Sequence, residues 1–292
     1  GDTVTSEVDD LLACLRLREV TESKVTVGEA STGEVTAGEA TTSEFTGVST
    51  RRPEHRIYGG QLLAQSVVAG SRTVPTDAVP HSVHSCFVNP GRPEEPIRYV
   101  VTPLRDGRSF HTRRIDALQL GGLVCSVTVS FQRPEEGVHH QDHAPEVPGP
   151  DGLPSRSLFR HSPDAEGTVD VRVCPPEENA DEAGWTVWLR VAARLPDDPA
   201  LHRALLVYLS DFSILHGAYR RQGLRQTEIR TASLDHSVWL HGAGRADEWL
   251  LYRSRSPAAG NGRAIGFGTL FDAQGRLLAT SAQEMLLRIP RT

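Results

Sequence analysis

Both halves of this 292-residue chain run through the same order of elements. Each has a helix pattern, then a strand, then three more strands with a glycine-containing turn before the last. In the first half the helix pattern is LLAQSVVAGSRTV, and strand-like alternation follows over residues 80–91, 98–119 and 123–132. In the second half Leu205, Leu209, Phe212, Leu215 and Tyr219 recur at steps of three and four, predicting a helix through Tyr219. A strand over 185–194 precedes that helix, and strands over 232–241, 248–258, 262–275 and 277–288 follow it. A local echo marks the repeat: His81-Ser82-Val83 against His236-Ser237-Val238. The expected architecture is a duplicated α+β unit. Residues 1–135 form the first unit, the Pro- and Gly-rich residues 136–165 a linker, and 166–292 the second unit.

Asp211 interrupts the second helix pattern. Its helical neighbours would be Val207, Tyr208, Ile214 and Leu215, so its carboxylate would lie among apolar side chains. A desolvated carboxylate is costly to ionise and suits the work of a general base. The plainer alternative is an Asp that turns to solvent or caps a broken helix.

Net charge of −6 argues against nucleic-acid binding, which calls for a basic excess. Hydrophobic content of 38% and charged content of 23% are those of an ordinary globular protein. The four cysteines have no CxxC spacing, so a reduced, cytoplasmic setting is expected. No apolar run approaches the about 18 residues that span a membrane, and no signal peptide is visible.

Other features carry weaker signals. Glu29, Glu34, Glu39 and Glu44 recur every five residues within 28–46, a step that suits neither strand nor helix. That segment reads as a low-complexity insertion, extended and solvated, in part strand. Gly59, Gly60 and Gln61 stand at a helix start, where backbone N–H groups are approachable by a ligand oxygen, and are candidate substrate-binding residues. Arg105, Arg108, Arg113 and Arg114 flank a turn at Asp106–Gly107 and read best as surface charge. His139, His140, Asp142 and His143 lack a strand or helix frame, so no metal site and no cofactor is expected.

Taken together, YGGQLLAQS, HSVHSCFVNPG, LRDGRSFHTRR, FQRPEEG, PDGLPS, LPDD, SDFSIL, LDHSVWLH, EWLLY and SAQE stand in an order that resembles the type II acyl-CoA thioesterases, the double-hotdog enzymes of bacteria and peroxisomes. The match runs from about Arg56 to Arg288. The resemblance implies a double hotdog, two tandem units each with a long helix wrapped by an antiparallel sheet. It implies acyl-CoA, or a carrier-bound acyl group, as substrate and a homo-oligomer as the assembly. The family's Asp, Thr or Ser, and Gln carry over to Asp211 of SDFSIL, Ser233 two before the Asp of LDHS, and Gln283 of SAQE. Met285 stands where bacterial relatives usually have Gly, which would narrow the pocket and bears on substrate range. Dedication to one biosynthetic pathway would fit such a departure.

Those three residues suit hydrolysis chemically. A base takes a proton from water, and a hydroxyl and an amide orient that water. No nucleophile elbow is present, and His236, three positions from Ser233 on a strand, would point to the opposite face. An acyl-enzyme is therefore disfavoured. The alternatives are a non-catalytic acyl-CoA-binding protein and a hotdog enoyl-thioester hydratase or dehydratase. The latter needs a convergent Asp–His pair, whereas Asp211 and His216 would be about 140° apart around a helix.

Overall fold

A computed structural model of the chain describes residues 2–20, 41–50, 56–155, 168–176 and 184–290. Four helices and twelve strands appear among them. The first unit comprises α1 (Asp2–Cys14), β1 (Arg18–Val20), β2 (Ser43–Gly47), α2 (Gly59–Ser71), β3 (Val79–Phe87), β4 (Ile97–Asp106), β5 (Phe110–Gln119) and β6 (Gly122–Gln132). The second comprises β7 (Val169–Val173), β8 (Trp185–Val191), α3 (Pro199–Ser210), α4 (His216–Arg221), β9 (Arg230–Leu240), β10 (Leu250–Gly260), β11 (Arg263–Asp272) and β12 (Leu277–Arg288).

All twelve strands join one antiparallel sheet in the order β1-β2-β4-β5-β6-β3-β9-β12-β11-β10-β8-β7. That order is a palindrome about the β3·β9 seam, each strand having a counterpart at the same distance on the other side. The repeated His-Ser-Val stretches meet there: Val83 faces Val238, Ser82 faces Trp239 and His84 faces Ser237. The sheet is thus a duplicated α+β unit closed by its own echo, as the double hotdog requires.

Helices α2 and α3 pack together, the start of α2 against the end of α3. α2 is buried nearly all round: Leu62, Leu63 and Val67 are among its core side chains, each stabilising by about 1.5–3 kcal/mol. Gly70 lets it approach the sheet, since a Cβ there would meet the Phe131 ring at 3.1 Å. Its buried Gln65 is satisfied by the Tyr99 hydroxyl and by the carbonyls of Cys14 and Val48, which tie α1 and the β2 end to the helix. No helix among the described residues is long and apolar enough to cross a membrane.

Four expectations need correction. The helix predicted through Tyr219 stops at Ser210; Asp211 is its C-cap, Ser213 adopts φ 63°, and α4 resumes only at His216. Apolar spacing survived the break because the turn residues Phe212, Ile214 and Leu215 are buried too. The segment over 28–46 is in part strand as expected, Ser43–Gly47 being β2, but there it is not solvated, Phe45 being 1% exposed; residues 28–40 lie outside the described part. Glu44, expected on a solvated face, is buried and paired with Arg98 of β4 at 2.7 Å. Arg113, expected at the surface, is buried against Asp106 and Thr73, because its position on β5 faces the helix layer.

The described part of the linker, residues 136–155, packs on the second unit as a strap. Gln141 bridges Gly275 O and Leu277 N, and Trp188 Nε1 donates to Pro148 O.

Candidate active site

Asp211 stands where two helix ends meet. The last carbonyls of α3 are taken by tyrosine hydroxyls, Tyr58 on Tyr208 O at 2.8 Å and Tyr252 on Ser210 O at 2.5 Å, so the helix ends without orphaned acceptors. A carboxylate at a helix C-terminus lies in an unfavourable dipole field. The offset comes from the opposite terminus, the first turn of α2, where the Gly60 N–H donates to Asp211 Oδ2 at 3.1 Å. The Asp211 charge is felt around it. Burial first, and then that charge, raise the phenols of Tyr219 and Tyr252; a hydrogen bond with Thr231 partly offsets the shift at Tyr219, which reaches about 12.

Ser233 and Gln283 touch directly. The Gln283 amide donates from Nε2 to Ser233 Oγ at 3.0 Å, across adjacent strands β9 and β12. The same amide presents Oε1 to Nδ1 of His236 at 2.5 Å, and Nε2 of His236 lies 2.9 Å from Ser210 Oγ. Burial holds His236 neutral, its pKa down to about 4 despite the opposing Gln283 bond. A neutral imidazole carries one proton, and with a carbonyl oxygen before Nδ1 the partners assign it there. Ser210 Oγ, 2.9 Å from Nε2, also donates to Val207 O at 2.6 Å, so its single proton is shared between the two acceptors. From His236 the donors run one way, to Gln283 and on to Ser233, and leave Ser233 its own proton to donate onward.

His236 therefore shares a face with Ser233, contrary to the three-residue count. The reason is a register shift in β9: Ser233 faces Met285 and Asp235 faces Glu284, so Leu234 is an extra residue. One inserted residue turns everything beyond it to the other face. The sequence signal for His236 was the His-Ser-Val echo. Its counterpart His81 only reaches Ser130 at 2.7 Å, because its own strand is irregular between Pro80 and Ser82.

A cavity of about 370 Å³ is lined by Gly59, Phe87 and Pro90 from the first unit and by Thr231 and Ser233 from the second. Gly59 links it to Asp211, since a Cβ at that position would lie 3.0 Å from Asp211 Oδ2 and 3.0 Å from the Phe87 ring. Of the predicted helix-start residues, Gly59 lines the cavity and Gly60 holds Asp211. Gln61 turns inward, its side chain bonded to Ser49, Thr50 N and Gln65. Met285 is buried beside Ser233, with the Tyr219 hydroxyl 3.6 Å from its sulfur. His216 stacks on Trp185 with ring centroids 5.1 Å apart, and burial lowers its pKa to about 4.

Two families match the chain in tandem. Residues 49–132 match the Acyl-CoA thioesterase N-terminal domain and residues 141–287 the Acyl-CoA thioesterase C-terminal domain. Acyl-CoA thioesterase 2 of Haemophilus influenzae is 32% identical over 262 residues, covering 84% of this chain and 92% of that protein. Acyl-coenzyme A thioesterase 8 of Homo sapiens is 31% identical over 261 residues, with 81% and 82% covered. Among solved structures, the acyl-CoA thioesterase II TesB2 from Mycobacterium marinum superposes with a TM-score of 0.79 at 34% identity, over 97% of this chain and 98% of that one. A hot dog fold protein from Alicyclobacillus acidocaldarius, TM-score 0.74 at 18% identity, shares the fold alone.

Proposed function

This chain belongs to the type II acyl-CoA thioesterase family and is an acyl-CoA thioesterase, and on that premise we propose how its residues divide the work. Asp211 is the general base. It takes a proton from a water whose oxygen attacks the thioester carbonyl carbon. Ser233 and Gln283 hold that water, Ser233 donating its remaining proton to the water oxygen. The tetrahedral oxyanion is received at the N-terminal end of α2, where Gly59 lines the cavity. Collapse breaks the C–S bond, and the thiolate of CoA leaves and is protonated, giving free acid and thiol.

The observation that carries this reading is the Ser233–Gln283 hydrogen bond at 3.0 Å, beside a cavity whose Gly59 wall adjoins the Asp211 carboxylate. His236 supports it as a positioning residue. It is neutral, fully enclosed and fixed by Ser210, so it cannot serve as the mobile base of a serine nucleophile while it orients Gln283. The buried Met285 beside Ser233 supports a restricted acyl range, which fits a pathway-dedicated enzyme. Self-association belongs to the same reading: Trp239 and Phe267 stand exposed on the outer face of the sheet, and its edge strand β1 pairs with β2 alone among the described strands. Light scattering at micromolar concentration checks it, a monomeric mass being the contrary result.

Asp211→Asn tests the mechanism. It keeps shape and removes the base, so kcat should fall by about 10²–10⁴ with little change in KM. Ser233→Ala and Gln283→Ala should each cost less, and the double variant less than the product of the two, because both act on one water. A covalent route predicts instead that Ser233→Ala is the most damaging change and that a quenched reaction carries acyl mass on Ser233.

A further inference from the structure

The palindrome of the sheet sets a second location against the catalytic one. Counting five residues back from the facing pair Val83 and Val238 gives Ala78 and Ser233. Two residues beyond their partners Val129 and Ser281 stand Phe131 and Gln283. The C-caps of α2 and α3 are Arg72 and Asp211. The first unit thus carries Arg, Ala and Phe where the second carries Asp, Ser and Gln. It has neither a base nor a pair of groups to hold water.

A cavity persists there nonetheless. It measures about 500 Å³, with Arg72 and Ala78 in its wall, and its apolar lining includes Leu15, Val67, Val68 and Leu201. That volume is within the about 300–1,000 Å³ of small-molecule sites. Its charge is unlike the catalytic end. Arg16, Arg72 and Arg203 line it against one carboxylate, Asp198, which is engaged in capping Ala200 N. Arg72 is committed to Leu17 O and Glu19. Arg203 is half-buried and meets no carboxylate among the described residues, and burial alone lowers its pKa. A desolvated guanidinium beside an apolar wall is matched by an anion on an alkyl chain.

We propose that this cavity is a second, non-hydrolytic site that binds a free fatty acid, its chain along Val67, Val68 and Leu201 and its carboxylate on Arg203. Arg16 at the same wall is exposed, so Arg203 is the half-buried guanidinium without a carboxylate among the described residues, and it suits a singly charged head. The polyanionic head of CoA would meet Asp198 at the same wall. The site is independent of the roles given to Asp211, Ser233 and Gln283.

Dodecanoate titrated calorimetrically into the full chain, with its catalytic cavity first saturated by a non-hydrolysable thioether analogue of dodecanoyl-CoA, reads the second site alone. One dodecanoate per chain should still bind. Arg203→Gln should weaken it at least tenfold, Arg203→Lys should restore part of the affinity, and dodecanol should bind without regard to residue 203. Leu201→Trp, which fills the cavity from its wall, should abolish binding while the initial rate on dodecanoyl-CoA stays within twofold. The proposal is overturned if dodecanoate fails to bind beside the analogue, or if Arg203→Gln and Leu201→Trp bind it as the natural chain does. Failure of the analogue itself to bind would count against the catalytic cavity and would appear as a separate result, with dodecanoate alone then titrated against the same variants.

Discussion

The Asp211 carboxylate is held by the Gly60 N–H, 3.1 Å away and 151 positions earlier in the chain. The base proposed for one unit is therefore set by the helix start of the other. Neither unit alone contains the complete arrangement, so the proposed site needs both units of the pair.

That contact predicts the effect of crowding the helix start. A Cβ at Gly60 would come within 2.4 Å of the Tyr58 ring and 2.5 Å of Tyr208 O, the latter backbone that cannot yield cheaply. Gly60→Ala should destabilise the fold by about 1–3 kcal/mol and lower kcat through displacement of Asp211. Thermal unfolding and steady-state rates check it; unchanged values of both would remove the contact from the mechanism.

Loss of His236 should show as a kcat effect. His236→Leu leaves the Gln283 carbonyl oxygen without its buried partner, a cost of about 1–3 kcal/mol, while Ser210 keeps its bond to Val207 O. The freed amide should no longer hold Ser233, lowering kcat with little change in KM. His236→Asn places a donor near the Nδ1 position and should recover part of the rate. Equal activity of the two variants would show that the imidazole is only packing.

The pH dependence of stability follows from the same residue. His236 titrates at about 4 in the folded chain against 6.5 unfolded, so between those values the unfolded state binds the extra proton. Stability is therefore full above about pH 6.5 and is lost as pH falls toward 4, on the order of 3 kcal/mol from this residue. His216, lowered to about 4 by burial, acts in the same direction. Urea midpoints across pH 4.5–7 should fall with acidity, with a shallower slope in His236→Asn.

Met285 should restrict the acyl group. Trimming it with Met285→Ala opens space beside Ser233, at a stability cost of about 2–5 kcal/mol. The kcat/KM ratio of branched to straight acyl-CoAs should rise. An unchanged ratio would place the acyl chain elsewhere.

What the sequence determined by itself was local. Alternation of side chains has a period of two wherever a strand lies, so Leu277–Arg288 was legible as a strand at its observed bounds, and a carboxylate inside an apolar run marked Asp211 before any contact was known. The ordered motifs and the repeat foretold a double unit. Tertiary structure decided what depends on partners distant in the chain. The meeting of Val83 with Val238 closes the sheet; Arg98 makes burial of Glu44 tolerable; Gly60 fixes Asp211. The extra residue at Leu234 is the clearest case. Counting along β9 sends His236 away from Ser233, and only the register against β12 brings both to one amide, because a bulge is a property of a strand pair and leaves no trace in the period of either strand.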